Sequence, residues 1–258
     1  MSPDEQRAVW EILDREHLVN IARSGPDPIF ATISGAHLYG FASPDSDVDL
    51  RGAFMLPARK MLGLRPPTET ISIEDNRTLE LDWVAHDIRK FARLMVSHNG
   101  YVLEQLFSPL VVISTAAHDE LRELGKGCVT RPTAQHYQGF ARGRRKRLHE
   151  PDATVKHLLY AYRVLLTGIH LMRTGEVVSN LPMLNLLFRM EQLDELIARK
   201  REGTEKLRLG ADELLAHETL LDTLQATLET AYERSSLPDT PTGAGALEDS
   251  ISSLIRSS

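Results

Sequence analysis

Two periodicities of apolar residues divide the chain, and the change from one to the other falls near residue 87. Before that point, short apolar or alternating runs are bounded by glycine, proline and polar residues, which is typical of β-strands. The segment 57–67 is predicted to be a loop with one short helical turn, and 110–113 could be a strand or buried coil. We predict strands at 29–34, 48–56, 70–73 and 78–84.

Helical spacing occurs at the N-terminus and returns after residue 87. Residues Ser2 to Glu5 have the sequence of a capping box with proline at the first helical position, so a helix should start there and end near Gly25. Later apolar positions recur at three- and four-residue intervals between prolines and glycines. These intervals predict helices at 88–98, 101–107, 116–126, 133–149, 152–174, 183–202 and 211–234.

The predicted strands are too close together in sequence for repeated βαβ units, because parallel strands need a crossover connection. We therefore expect an α+β fold, in which a small mixed, mostly antiparallel sheet with flanking helices precedes an all-helical C-terminal domain. The predicted domains are 1–114 and 115–236. Residues 237–258 are rich in Pro, Thr, Gly and Ser and should form a flexible tail that could include a short helix over 247–255.

The segment 33–52 carries the most distinctive polar residues. The strand 29–34 runs into a glycine turn with Gly35 and Gly40, and Asp47 and Asp49 follow on the next strand. Because alternate side chains of a strand share a face, both carboxylates should point the same way. Such carboxylates repel each other unless a positive charge lies between them, and oxygen ligands suit Mg²⁺ or Mn²⁺. Since backbone N–H groups of a glycine turn can approach a phosphate, the segment predicts a nucleotide and metal site.

Composition narrows the class of protein. Hydrophobic residues make up 42% and charged residues 26% of the chain, and no apolar run approaches the ~18 residues of a membrane helix. The single cysteine, Cys128, excludes an internal disulfide, and the acidic N-terminus lacks a signal-like apolar segment, so we expect a cytoplasmic protein. With a net charge of −6, contact with nucleic acid must come from a local patch.

The motif resembles the nucleotidyltransferase superfamily of the DNA polymerase β type. The signature of that superfamily is a Gly-Ser pair, a spacer, Asp-x-Asp and a later acidic residue, and Gly35-Ala36 and Asp47-x-Asp49 stand here in that order. The longer run from Ser34 to Gly52 is similar to a bacterial and phage subgroup, some members of which accompany RNA ligases in RNA repair. Segments 81–90, 99–109 and 156–175 also look like this subgroup.

The resemblance implies roles for individual residues. Asp47, Asp49 and Asp82 would bind two Mg²⁺ or Mn²⁺ ions, and Asp82 would activate the attacking hydroxyl. Gly35 would let the backbone approach the phosphates of a nucleoside triphosphate such as ATP. The residues assigned to nucleotide binding are Ser34, Gly35, Ala36, Tyr39, Gly40, Ser46, Lys156 and Arg163.

Some of these assignments have competing explanations. Glu80 lies two residues before Asp82 on the same strand face, so either could be the third carboxylate. Ala36 stands where the family has serine, and loss of one neutral hydrogen bond would weaken nucleotide binding by about 0.5–1.5 kcal/mol without abolishing the chemistry. Tyr39 could instead pack within the turn, and Ser46 could stabilise it through a side-chain-to-backbone bond.

Two cationic groups lie in the helical half. Lys156 and Arg163 share one face of the predicted helix 152–174, as a surface stripe or, as the resemblance implies, as a face toward the triphosphate. The run Arg142–Arg147 is the densest basic segment. A solvated helix face is the usual explanation for such a run, but beside a nucleotidyltransferase core it could contact an RNA backbone.

The predicted function is metal-dependent transfer of a nucleoside monophosphate from a nucleoside triphosphate to an acceptor hydroxyl, with an RNA end as the favoured acceptor. An RNA ligase is the expected partner. The alternatives are a protein or small-molecule acceptor, such as an aminoglycoside, and a nucleotide- or RNA-binding protein without catalysis. The sequence leaves the preferred base and the oligomeric state open.

Overall fold

The computed structural model describes residues 1–61, 64, 67–75, 80–203 and 207–256, and the chain forms two compact units. The sheet unit consists of Ser2–Gly35, Asp47–Val129 and Thr240–Ser258. The helical unit consists of Met1, Ala36–Ser46 and Thr130–Asp239. These limits do not coincide with the predicted boundaries after residues 114 and 236. The segment 36–46 belongs with the helices, and the described residues from Thr240 onward belong with the sheet. Residues 257 and 258 of the predicted tail lie outside the described residues.

The strands of the described residues form a single sheet. They are β1 (Pro28–Ile33), β2 (Val48–Phe54), β3 (Thr70–Asp75), β4 (Leu81–Asp87) and β5 (Val111–Ile113). The sheet has the order β3-β4-β2-β1-β5. Only β2 and β4 pair in parallel, while the other neighbouring pairs are antiparallel. The expected α+β fold with a mixed, mostly antiparallel sheet is confirmed. Of the predicted strand 78–84, residues 78 and 79 lie outside the described residues, as do 62, 63, 65 and 66 of the predicted loop.

The described helices follow the predicted spacing closely in the second half of the chain. They are α1 (Pro3–Ile12), α2 (Arg15–Ala22), α3 (Gly35–Tyr39), α4 (Ala58–Met61), α5 (Ile88–Val96), α6 (Gly100–Leu106), α7 (Ala116–Lys126), α8 (Thr133–Leu148), α9 (Val155–Thr174), α10 (Leu181–Phe188), α11 (Glu191–Glu202), α12 (Ala211–Arg234) and α13 (Ala244–Arg256).

Two predicted helices are each divided in the structure. The capping box of Ser2 and Glu5 starts α1 as expected, but a second helix begins after Asp14, whose carboxylate accepts the N–H of His17 (3.0 Å). The predicted helix 183–202 is split into α10 and α11 because Arg189 adopts a left-handed conformation with φ of 54°. A non-glycine residue with positive φ ends a helix, and periodicity alone does not reveal it.

The C-terminal segment, expected to be a flexible tail that could include a short helix over 247–255, contains a packed helix, α13. Leu247 and Ile251 stand one helical turn apart on α13 and are 2% and 7% exposed. This helix packs against α5 and α7 within the sheet unit. The N–H of Gly243 donates to the carbonyl of Gly127 (3.0 Å) just before α13 begins. The apolar stripe of this short helix therefore outweighs the loop-like composition of the residues before it.

Each unit has its own core. In the sheet unit, α5, α6 and α7 pack against the strands, and Phe30 of β1 contacts the rings of Phe91 and His118. In the helical unit, α8 and α12 pack on α9, most of whose residues are buried. Gly168 of α9 permits this approach, since a Cβ there would lie 3.0 Å from Tyr137. The sheet unit carries the carboxylates discussed next.

Candidate active site

Two of the candidate carboxylates lie side by side on neighbouring strands. Asp49 of β2 and Asp82 of β4 are register partners in the parallel pair. Their side chains are 19% and 40% exposed. Glu80, the competing residue, is exposed and lies before β4, where its carbonyl accepts the N–H of Val48 (2.7 Å). The structure therefore brings Asp82 next to Asp49, and the catalytic role of Asp82 stays a prediction.

The guanidinium of Arg51 lies between these two carboxylates. Its Nη2 donates to Asp49 Oδ1 (2.5 Å) and to Asp82 Oδ2 (3.0 Å). Its Nη1 donates to the backbone carbonyls of Leu50 (2.8 Å) and Asp82 (2.7 Å). Sequence reasoning missed this residue, although the strand alternation that aligns Asp49 with Asp47 also places Arg51 on that face.

Arg51 is a permanent positive charge in this setting. Burial of its side chain, which is 11% exposed, lowers the pKa of the guanidinium. The Asp49 carboxylate, the nearby Tyr101 and the Asp82 carboxylate raise that pKa, and the net effect is upward. Since an arginine is protonated even without such help, the charge between Asp49 and Asp82 is present at every pH at which the protein is folded.

The three carboxylates suit a divalent cation in their chemistry but do not form a closed ligand group among the described residues. Asp47 is half-buried and lies one residue before β2. Within the described ranges, no three His, Cys, Asp or Glu side chains gather closely enough to form a metal-binding group. The donor chemistry still suits Mg²⁺ or Mn²⁺, because carboxylate oxygens are the ligands these ions prefer. Arg51 shows that a positive group fits between two of the three carboxylates.

Gly35 is required by its conformation and by the position of Asp49. It has a φ of 60°, and a Cβ on it would lie 1.8 Å from Asp49 Oδ2. The preceding Ser34 donates its N–H to the carbonyl of Asp49 (2.8 Å). The Ser34 hydroxyl is fully buried and has no hydrogen-bond partner among the described residues. Glycine thus lets the backbone lie directly against the Asp49 carboxylate.

The predicted glycine turn begins as a short helix, α3, and most of it belongs to the helical unit. Ala36 is fully buried and Tyr39 is 1% exposed. Gly40 has a φ of 83°, and a Cβ there would lie 2.7 Å from both Asn180 Nδ2 and Pro182 Cδ. Close packing against Asn180 and Pro182 therefore explains why position 40 is a glycine, and contact of Gly40 with a nucleotide stays a prediction.

Three polar side chains of the helical unit hold the segment 36–46. Asn180 Nδ2 donates to the carbonyl of Leu38 (3.1 Å), and Arg201 Nη2 donates to the carbonyl of Gly40 (2.6 Å). Lys200 is fully buried, and its Nζ donates to Ser43 Oγ (2.5 Å). No local sequence signal could have identified these residues, since they follow the segment by about 140 to 160 positions.

Ser46 stabilises the turn through a side-chain-to-backbone hydrogen bond, as predicted, and its contact with a nucleotide stays a prediction. Its Oγ accepts the backbone N–H of Ser43 (3.0 Å), which is the expected side-chain-to-backbone bond. The Ser43 hydroxyl in turn donates to Asp45 Oδ1 (2.7 Å). Ser46 is 2% exposed. These bonds fix the turn that leads into Asp47.

The predicted cationic face of α9 separates into a buried and a half-buried part. Arg163 is 2% exposed and stacks on Tyr39, with its Cζ 4.0 Å from the ring centroid. Tyr160 meets the same ring edge-on at 5.5 Å. Lys156 lies in the first turn of α9 and is half-buried. The structure gives Arg163 and Tyr39 a shared packing role, and nucleotide contact stays a prediction for both and for Lys156.

The basic run on α8 is partly neutralised within the helical unit. Arg145 pairs with Asp222 (2.6 Å) and Arg147 with Asp152 (2.6 Å). Arg144 lies over the ring of Tyr160, 4.8 Å from its centroid. The exposed members of the run are Arg142 and Lys146. A contact with RNA stays a prediction, and these two residues are the exposed cations that it would use.

Comparison with known proteins decides the family. A family model described as "RNA repair pathway DNA polymerase beta family" (RlaP) matches residues 6–251. The chain belongs to this family. The match confirms the resemblance that the motif of 33–52 carries, including its RNA-repair subgroup. A polymerase β type family implies nucleotidyltransferase activity in general.

Two relatives of this RlaP-family chain are similar over much of its length. An uncharacterized protein of Methanocaldococcus jannaschii is 30% identical over 156 residues, which are 59% of this chain and 63% of that protein. The chain thus spans just under two thirds of that relative. The uncharacterized protein YcgL of Bacillus subtilis is 29% identical over 213 residues, which are 80% of this chain and 78% of YcgL.

In the part of the chain that the structure describes, no helix is long and apolar enough to cross a membrane.

Proposed function

We propose that this RlaP-family chain is a metal-dependent nucleotidyltransferase. It transfers a nucleoside monophosphate from a nucleoside triphosphate to an acceptor hydroxyl and releases pyrophosphate. The observation that carries the proposal is the register of Asp49 with Asp82, beside a glycine that leaves room for the Asp49 carboxylate. Carboxylates fixed in this way suit phosphoryl transfer, in which catalysis is mainly positioning and stabilisation of charge.

Each carboxylate has a place in this chemistry. Asp47, Asp49 and Asp82 would hold Mg²⁺ or Mn²⁺, and the bound metal would supply positive charge to the triphosphate and to the attacking and leaving oxygens. Asp82 is the more exposed of the paired carboxylates and accepts the proton of the acceptor hydroxyl as its oxygen bonds to the α-phosphorus. The bond from that phosphorus to the bridging oxygen breaks, and pyrophosphate carries away the negative charge.

We propose an RNA end as the acceptor. The family description names an RNA repair pathway, and α8 presents the exposed cations Arg142 and Lys146. An RNA ligase is the partner that this pathway suggests. A protein or a small molecule is the alternative acceptor. A nucleotide-binding role without catalysis is favoured by one observation, since Ala36 replaces the serine of the motif.

The test is transfer of label from each α-labelled nucleoside triphosphate to RNA, protein and small-molecule acceptors, with Mg²⁺ or Mn²⁺. Asp49→Asn and Asp82→Asn should each lower transfer by roughly 10²-fold or more, because each misplaces the reacting groups. Glu80→Gln is the matched control, since this exposed carboxylate lies two residues before Asp82, and it should stay near wild type. If the wild type and both Asn variants transfer equally little to every acceptor, the protein is not an enzyme of this kind.

The RNA contact has its own test. Arg142→Gln combined with Lys146→Gln should weaken RNA binding and lower the salt dependence of log K by about 0.7 per lost phosphate contact on a single strand. Arg145→Gln is the control, because Arg145 is paired with Asp222. Equal salt slopes for the double variant and the wild type would show that this face of α8 does not bind RNA.

A further inference from the structure

We infer that Arg51 takes the place of one of the two metal ions, so that the site binds a single divalent cation with its nucleotide. The inference rests on the proposed function, because it concerns the same three carboxylates. It narrows that proposal, since Asp82 would pair with Arg51 instead of binding the cation, and it differs from the two-ion arrangement that the family resemblance implies. The reason is that a fixed guanidinium already lies between Asp49 and Asp82.

Hydrogen bonds hold the Arg51 side chain in a fixed position in the site. Four hydrogen bonds hold the guanidinium, two of them to carboxylates and two to backbone carbonyls. Withdrawal of the side chain would leave the carbonyls of Leu50 and Asp82 without these donors. Both carbonyls also belong to the β2–β4 ladder, so the main cost of displacing Arg51 is the loss of its two charge-assisted bonds to Asp49 and Asp82, for which an incoming cation would have to compensate. Arg51 and a second divalent cation would also repel each other at contact distance.

The two oxygens of Asp49 divide between two sides of the site. Oδ1 accepts a hydrogen bond from Arg51, whereas Oδ2 lies against Gly35, where a Cβ would come within 1.8 Å of it. The glycine side is the side on which the backbone can approach a phosphate. Asp49 Oδ2 and the Asp47 carboxylate would therefore hold the one cation that binds with the triphosphate. Asp82 would keep Arg51 as its counter-charge.

Substitution of Arg51 separates its charge from its shape. Arg51→Met keeps much of the unbranched side chain and removes the positive charge, so a second Mn²⁺ should bind, at least about tenfold more tightly than to the wild type. Arg51→Lys keeps the charge and should still exclude the second ion. The comparison of these two variants shows whether the charge or merely the side-chain volume sets the metal content.

The experiment counts Mn²⁺ ions per chain by electron paramagnetic resonance titration, with a saturating nucleoside triphosphate analogue whose α–β bridge cannot be cleaved. We expect one ion for the wild type and for Arg51→Lys, and two for Arg51→Met. Two ions per wild-type chain would overturn the inference and leave the proposed function standing. No Mn²⁺ bound by the wild type at any nucleotide concentration would refute the proposed function, and the inference with it. The wild-type count decides the question even if Arg51→Met does not fold.

Discussion

Replacement of Gly35 by alanine tests the geometry of the site without any assumption about substrate. The added Cβ would lie 1.8 Å from Asp49 Oδ2 and 2.7 Å from its Cγ, so the carboxylate must move. Alanine at a φ of 60° costs about 1–2 kcal/mol by itself. Forcing Asp49 off its rotamer costs about 0.5–1.5 kcal/mol, and losing its charge-assisted bond to Arg51 costs about 1.5–3 kcal/mol. Gly35→Ala should therefore lower the free energy of unfolding by about 3–6.5 kcal/mol.

The Asp49→Ala background isolates the clash. With the carboxylate removed, Gly35→Ala keeps the backbone term of about 1–2 kcal/mol and a close approach of 3.0 Å to the Cβ at position 49. The two substitutions should therefore couple by about 2–4.5 kcal/mol, the rotamer and hydrogen-bond terms that the carboxylate causes. Urea unfolding of the wild type, both single variants and the double variant measures this coupling. Gly143→Ala is the control, because Gly143 lies in α8 with open space around its Cβ position and should stabilise by about 0.5–1 kcal/mol. The same cost of Gly35→Ala in both backgrounds would refute the contact between Gly35 and Asp49.

Two further predictions concern the folded units. Leu247→Ala should lower the free energy of unfolding by about 2–5 kcal/mol, because Leu247 is buried on α13. The exposed Leu215 is the control and should tolerate alanine. Urea unfolding measures both variants, and an equally small effect of the two substitutions would indicate that α13 is a loose tail. Burial lowers the pKa of His136 to about 4, and Arg163 acts in the same direction. Since the unfolded chain then binds more protons than the folded one below about pH 6.5, stability should fall as pH drops from there toward 4. Urea midpoints at several pH values should fall less steeply for His136→Asn, and equal slopes would contradict the burial of His136.

Strand alternation made part of the site predictable. It places Asp49 on one face of β2 and Leu50 on the other, and it follows from backbone geometry alone. The capping box of α1 and the long helices α7, α8 and α12 were likewise readable, because their signals lie within a few residues of one another. The family resemblance of 33–52 is confirmed by the family match. Local rules therefore gave the correct fold class, and the resemblance of 33–52 gave the correct family.

Features that depend on distant residues could not be predicted in the same way. The pairing of β2 with β4, rather than with β3, puts Asp82 beside Asp49, and nothing in either strand specifies that choice. The anchors of the segment 36–46, such as Lys200, come from helices far along the chain. The packing of α13 on α5 and α7 could not be predicted either, because the composition of a segment does not identify the elements it packs against.

The charge between the two carboxylates links these local and distant effects. Parallel pairing of β2 and β4 brings Asp49 and Asp82 together, and two neighbouring carboxylates without a counter-charge would repel each other. Strand alternation within β2 places Arg51, two residues beyond Asp49, on the same face. A sheet that gathers carboxylates, as the proposed metal site requires, therefore also needs a positive group to hold them together when no cation is bound. Arg51 meets that need from within the strand, and its four hydrogen bonds are the physical reason to expect that it stays when a nucleotide binds.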